Sequence, residues 1–337
     1  MTPEPKFEHL LRMTDRFGTY EHADGTVPRP EHGYCTDDMA RVLVVTSREP
    51  SPSPLVSDLA RQALRFVADA QGPSGDCRNR RDRRGEWHGP YEVGDPWGRS
   101  LWGLGTAAAR HPRELVRQLA LGCFERGAQQ RSASPRSMAF AALGAHEILA
   151  VYPGHRGALD LLAGTIGVVG VGATSTSWSW PEPRLSYANA VLPEALIVAG
   201  QDLDRPELVH HGLHLLGWLL DRETAGGHLS VVPVGGCGAD DPRPAFDQQP
   251  IEVAALADAC SLAARLTADD RWTAGVASAV AWFLGDNDAG TLMWDPATGG
   301  GYDGLRADGP NLNQGAESTL SLISTLQHGR RLVGAGR

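Results

Sequence analysis

Apolar residues along the chain fall into two kinds of helical segment that alternate. One kind is one-sided. Leu59, Ala63, Phe66, Val67 and Ala70 recur at helical spacing, with Arg61, Gln62, Arg65 and Asp69 on the opposite face. The same one-sided spacing recurs in Leu208, Gly212, Leu215 and Leu219, in Trp272, Val276, Val280 and Phe283, and in Leu115, Leu119 and Cys123. A segment over 4–20, carrying Phe7, Leu10, Leu11 and Met13, and a glycine-rich one over 157–169 bring the one-sided helices to six. The other kind is apolar nearly all round: 39–45, 101–109, 138–149, 192–199, 253–266 and 320–326. A helix with no polar face has to be buried on every side. The alternation therefore predicts six inner helices, each paired with an outer one.

Every inner helix opens from a polar, aromatic or Gly/Pro-rich loop. The openings are His32-Gly33-Tyr34-Cys35-Thr36-Asp37-Asp38, Gly94-Asp95-Pro96-Trp97-Gly98-Arg99, Ser134-Pro135-Arg136-Ser137, Trp180-Pro181-Glu182-Pro183 through Asn189, Gln248-Gln249-Pro250-Ile251-Glu252 and Asn313-Gln314-Gly315-Ala316-Glu317. They lie roughly 40–65 residues apart, a period typical of stacked helical units. Thr36 reads as a cap with Asp37 and Asp38 in the turn behind it, and Ser134-Pro135 as an N-cap followed by Pro at the first helical position. Pro250 reads likewise, and Pro193 kinks the fourth inner helix or marks its start, with Tyr187 and Asn189 in the loop before it. The expected fold is all-α: an (α/α)6 toroid of six helical hairpins in a single domain over 1–337, with minor strands confined to loops such as 229–234.

Composition narrows the partners. Lys and Arg number 31 against 40 Asp and Glu, a formal charge of −9, so a phosphate-backbone partner such as nucleic acid is not expected. No run approaches the ~18 apolar residues of a membrane span, and the residues after the first Met are polar, with no signal-peptide pattern. The five cysteines are scattered, without a C-x-x-C pair. Together these read as a cytoplasmic protein without disulfides, structural metal or phosphate-binding loop, and no cofactor is expected.

The chemistry-bearing residues gather in the openings. Asp37 and Asp38 sit where a helix dipole favours acids, and adjacent helical residues diverge by about 100°, so one of the two is expected to face a cavity. Glu182 lies between two prolines beside Trp180, where apolar rings would raise a carboxyl toward general-acid range. Glu252 and Glu317 lie just inside inner helices, Glu317 too deep for capping and in need of a partner such as Arg41 or Arg99. Asp95 and Arg99, one turn apart, can pair. Five of the nine tryptophans (Trp87, Trp97, Trp178, Trp180 and Trp294) fall in these loops, as do His32, Tyr34, Tyr187, Asn189, Gln248, Gln249, Asn313 and Gln314. Aromatic faces beside amides and carboxylates suit a sugar, whose C–H face stacks on a ring while its hydroxyls need paired polar partners.

Five stretches resemble a bacterial family labelled glycosidase-related or glycosyltransferase-associated, within the six-hairpin glycosidase-like superfamily. They are His32 to Arg41, Gly98-Arg99-Ser100-Leu101-Trp102, Leu185 to Leu196, Asp247 to Glu252 and Asn313 to Thr319. The chain departs from the family pattern at Met39, where Asn is usual, and at Ala188, where an acid is usual. The resemblance implies an (α/α)6 toroid and action on oligosaccharides. The expected activity is an inverting glycoside hydrolase for short oligosaccharides, with one carboxylic acid protonating the leaving oxygen and a facing carboxylate activating water. Asp38 and Glu182 form the first pair, because the first and fourth inner helices face each other, and Glu252 is the substitute. An N-acylglucosamine-epimerase-like isomerase is the alternative, though only His32 and His88 lie near the openings; a phosphorylase, a lyase or a non-catalytic sugar-binding partner of a glycosyltransferase stays open beside it.

Overall fold

The structure, a computed structural model, describes residues 2–170 and 178–335. Among these residues are twelve α-helices: α1 (Glu8–Arg12), α2 (Thr36–Arg48), α3 (Pro54–Ala70), α4 (Asp95–Arg110), α5 (Glu114–Gly127), α6 (Pro135–Val151), α7 (Arg156–Val169), α8 (Val191–Asp202), α9 (Pro206–Arg222), α10 (Pro250–Thr267), α11 (Asp270–Phe283) and α12 (Ala316–Ala335). The even-numbered helices pack in sequence, α2 on α4, α4 on α6, and so on to α12, which returns to α2 and closes the ring. Each odd-numbered helix packs outside its partner: α3 on α2, α5 on α4, α7 on α6, α9 on α8, α11 on α10 and α1 on α12. This is the (α/α)6 toroid that the alternating pattern predicts.

Because each pair is a hairpin, all six inner helices run the same way. Their N-termini meet at one end of the ring, the mouth, and their C-termini at the other. Strands are short and belong to the loops: Ala23–Asp24 with Val27–Pro28, Tyr34–Cys35 with Arg80–Arg81 and Trp87–His88, Thr224–Ala225 with His228–Leu229, and Gly304–Arg306 with Gly309–Asn311. In the 229–234 stretch only Leu229 is strand, and Pro233 bridges to Gln248. The inner ring is tight where small residues let backbones meet. A Cβ on Gly105 would lie 2.2 Å from the Gly144 carbonyl oxygen, and one on Gly144 2.1 Å from that of Leu101, so α4 and α6 touch main chain to main chain.

Three local expectations are corrected. The first outer helix is five residues long, not the whole of 4–20. Asp15 Oδ1 accepts from the backbone N–H of Phe17 at 2.8 Å and of Gly18 at 3.3 Å, and this Asx turn competes successfully with helix. In α5 the buried row is Val116, Ala120 and Phe124, while Leu115 and Leu119 are 68% and 55% exposed. Two apolar rows run side by side there, and the one carrying the small Ala120 admits the neighbouring helices. Finally, Cys35 rather than Thr36 is the N-cap of α2: its sulfur accepts from Asp38 N–H at 3.4 Å, while the Thr36 hydroxyl donates to the Arg78 carbonyl at 2.7 Å. Ser134 caps α6 with Pro135 behind it, and Pro193 sits in the first turn of α8, both as the sequence indicates. Among the described residues no helix is long and apolar enough to cross a membrane, and the five cysteines are free.

Candidate active site

The mouth holds a cavity of about 440 Å³. Its wall is built from the openings of α2 (Cys35, Asp37, Asp38, Arg41), α4 (Asp95, Arg99), α8 (Ser186, Tyr187), α10 (Gln249, Ile251, Glu252) and α12 (Gly315, Glu317, Ser318). Loop residues Glu21, His22, Val232, Pro233, Val234 and Asp303 complete it. Both Asp37 and Asp38 line the cavity, where divergence along the helix led to one being expected. Asp38 reaches it as a buried wall residue, 2% exposed at the side chain, and Asp37 as an open one at 19%.

Two arginines hold the acids in place. Arg41 donates to Asp38 Oδ1 at 2.9 Å and to Glu317 Oε2 at 2.6 Å. Arg99 lies with its Nε 3.4 Å from Asp37 Oδ1 and its Nη2 3.9 Å from Asp95, and its guanidinium caps the Phe140 ring at 4.3 Å. Asp95 is fixed instead by the Ser137 hydroxyl at 2.8 Å and the Tyr187 hydroxyl at 2.7 Å. Asp37 Oδ1 accepts no hydrogen bond.

Glu252 is 2% exposed, and its carboxyl accepts from the Ala188 N–H, the Asn189 N–H at 3.2 Å and the Asn189 amide at 2.8 Å. Ala188, the position where the resembled family carries an acid, has a positive φ of 46° and is clamped by this contact. Burial raises the Glu252 carboxyl more than these hydrogen bonds lower it, to about 7. Burial likewise raises Asp38, against the pull of Arg41, to about 6, and raises Asp37 against Arg99 and Arg41. Glu317 goes the other way: burial is outweighed by Arg41 and Arg99, which hold it below the usual carboxylate range. One cavity thus contains carboxyls set to different protonation states.

Several predicted residues lie outside the cavity wall. Glu182 forms a two-pronged ion pair with Arg136 at 2.7 and 3.0 Å, and the Trp180 indole donates to it at 3.2 Å, so the tryptophan gives it a donor rather than an apolar pocket. Arg136 also donates to the Tyr187 carbonyl at 2.6 Å and the Asn189 side chain at 3.0 Å. Glu182 therefore anchors the loop that grips Glu252. Trp97 and Trp180 are fully buried, Trp97 donating to the Gly127 carbonyl at 3.0 Å and Trp180 stacking on Trp218. Tyr34 is buried under Tyr20. Gln248 joins Trp282 to Asp288, Gln314 joins Thr298 to Asp295, and Asn313 accepts from the Gly25 N–H at 3.0 Å. His32 stands at the rim, edge-on to His22. Tyr187, not a tryptophan, is the aromatic face in the cavity wall.

Sequence reasoning missed Glu21, His22 and Asp303. The first two fall directly after the supposed long first helix, and Asp303 follows a glycine run that reads as plain loop. Asp303 accepts from the Gly315 N–H at 2.8 Å and the Ser318 hydroxyl at 2.9 Å, which ties this loop to the start of α12.

Glu21, Cys35 and Asp38 bring one ligand atom each within 4.8 Å of one another. They are a poor metal set. Glu21 is paired with Arg80, and Asp38 with Arg41 and the Cys35 thiol, while burial pushes that thiol well above its ordinary range and away from the thiolate a metal requires.

The chain matches no protein-family model and no curated protein. Solved structures share its architecture. A sugar epimerase from a ruminal bacterium superimposes with a TM-score of 0.68 at 13% identity, over 96% of this chain and 95% of that one. Cellobiose 2-epimerase from Spirochaeta thermophila does so at 0.66 and 13%, over 97% and 94%. The cellulase Cel9M of C. cellulolyticum gives 0.61 at 8%, over 94% and 87%. At these identities the likeness establishes the (α/α)6 toroid fold.

Proposed function

We propose that the chain is a carbohydrate-active enzyme, an inverting glycoside hydrolase that cleaves short oligosaccharides in the mouth cavity. The observation that carries the proposal is the gathering, in one cavity, of Glu252, whose carboxyl burial raises to about 7, with Asp37 on the wall formed by α2. Glu252, raised to about 7, is the general acid that protonates the leaving oxygen. Asp37, on the α2 side of the cavity with its side chain 19% exposed, is the base that activates water. Glu317 and Asp38, each locked to Arg41, orient that arginine and set the local charge. Tyr187 provides a stacking face, and Gln249 and Asp95 provide partners for hydroxyl groups. Seven carboxyl groups face two guanidinium groups and one imidazole in the wall, which favours neutral or amino sugars over uronic or phosphorylated ones.

The likeness to the two epimerases favours a second reading, an epimerase or isomerase that moves a proton at the carbon next to the anomeric centre. Against it, the cavity wall holds a single histidine, His22, while the inner-helix histidines His146 and His328 line the far end of the ring. Incubation of neutral oligosaccharides with the enzyme in ¹⁸O-water and in deuterium oxide separates the two. Hydrolysis gives cleaved product carrying ¹⁸O at the anomeric carbon, released with inverted configuration by NMR. Uncleaved sugar that has exchanged a C–H for C–D would overturn the hydrolase in favour of the epimerase.

A further inference from the structure

At the far end of the ring the six inner helices finish around a second cavity. Arg48 of α2, Arg110 of α4, Arg265 of α10 and Arg331 of α12 line it, together with Glu194 of α8 and Asp258 of α10. Two of the four guanidinium groups are committed, Arg48 to Asp258 at 2.5 Å and Arg110 to Glu147 at 2.7 Å. The other two are not: Arg265 donates only within its own helix, to Ser261, and Arg331 makes no hydrogen bond or ion pair among the described residues. Glu194 is 7% exposed and its carboxyl has neither a hydrogen bond nor an ion pair among the described residues, yet it lines this cavity.

Converging helix C-termini attract cations, since each end carries about half a negative charge, and this accounts for part of the arginine content. Four guanidinium groups stand there, and among the described residues only two of them have a carboxylate partner. Burial first, and then the charges of Arg48, Arg110 and Arg265, push the Arg331 guanidinium down to about 10. Burial and Asp258 push Glu194 well above the usual carboxylate range, which favours the protonated form that can offer an O–H donor to an anion. Free guanidinium forks beside a neutral carboxyl donor match the acceptor oxygens of a tetrahedral oxyanion.

We propose that this far-end cavity is a binding site for a phosphate group, gripped by Arg265, Arg331 and Glu194 and separate from the carboxylate-lined mouth. Free phosphate and a sugar-borne phosphate share that chemistry. The test is calorimetric titration of the full chain with inorganic phosphate, and separately with a hexose phosphate, at fixed ionic strength. Saturable binding at a single site is expected, weakened about tenfold or more in Arg331→Gln and in Arg265→Gln and unchanged in the mouth variant Asp37→Asn. Tighter binding of the hexose phosphate with the same arginine dependence would identify a sugar-borne group, and binding of inorganic phosphate alone a free ion; either supports the site. Neither arginine holds another element, so both variants should fold, and a rise in the native chain's melting temperature with phosphate but not with matched chloride gives a readout independent of them. Absence of saturable binding with either ligand, full binding in both arginine variants, or loss of binding in Arg99→Gln at the mouth would each overturn the proposal.

Discussion

Glu252 accepts hydrogen bonds from the Ala188 and Asn189 backbone and from the Asn189 amide, which favour its ionised form, while burial favours the neutral one and wins. With Glu252 protonated up to about pH 7 as the acid, kcat/KM should fall as pH rises through about 7. That alkaline limb should disappear in the residual activity of Glu252→Gln, which has no proton to lose. A limb that persists in the variant belongs to another group. Glu182→Gln is expected to behave differently: breaking the paired contact with Arg136 should cost about 1–3 kcal/mol of stability in denaturant unfolding, with a smaller loss of turnover than Glu252→Gln. A turnover loss as large as that of Glu252→Gln would return Glu182 to the chemistry. Asp37, Asp95, Arg99, Glu252 and Glu317 were legible in the sequence because each opens a helix aimed at the mouth. The tryptophans were not, because an indole that stacks on sugar and one that donates inward to a carbonyl, as Trp97 does to Gly127, leave the same trace in a sequence.

The twelve helices are readable from periodicity because an inner helix, buried all round, and an outer one, buried on one face, carry different patterns. The two failures have local causes: Asp15 captures two backbone donors and stops α1 early, and α5 carries two adjacent apolar rows of which only one fits. The glycines between α4 and α6 state the packing requirement most sharply. Gly105→Ala places a methyl carbon against the Gly144 carbonyl and should cost about 1–3 kcal/mol or more, because backbone rather than a side chain must move. Gly122→Ala, in α5 with open space around it, should be neutral or stabilise by up to about 1 kcal/mol. Urea unfolding of the two variants checks the contrast; equal stabilities would mean that α4 and α6 are not in main-chain contact.

Across the whole molecule, the parallel inner helices gather six N-termini at the mouth, where acids accumulate, and six C-termini at the far end, where arginines do. The mouth acids are nonetheless buried, and Asp38 (about 6), Glu252 (about 7), Glu194 and Glu223 all bind protons more tightly in the folded chain than in the unfolded one. Their contribution to stability is complete below the unfolded carboxylate range and is lost as pH rises through the folded values. Burial lowers His9, His111, His211 and His328, which adds stability as pH rises toward their unfolded value of about 6.5, so the carboxyls act unopposed only above it; the melting temperature should decline from about pH 6.5 to about pH 8 at constant ionic strength, and a rise over that window would show these carboxyls to be ionised in the fold. Distances between residues from different hairpins were the part that no sequence pattern could supply: Asp38 opens α2 and Glu182 lies in the loop before the facing α8, yet Glu182 pairs with Arg136. The central claim, that Glu252 donates the proton to the leaving group, is tested most directly by comparing Glu252→Gln with the native enzyme on two substrates of the same glycone. The expected result is a turnover loss of about 10²–10⁴-fold on an oligosaccharide, whose leaving alkoxide needs that proton, and little loss on an aryl glycoside of a strongly acidic phenol, which does not. Equal losses on both substrates, or none on the oligosaccharide, would contradict it.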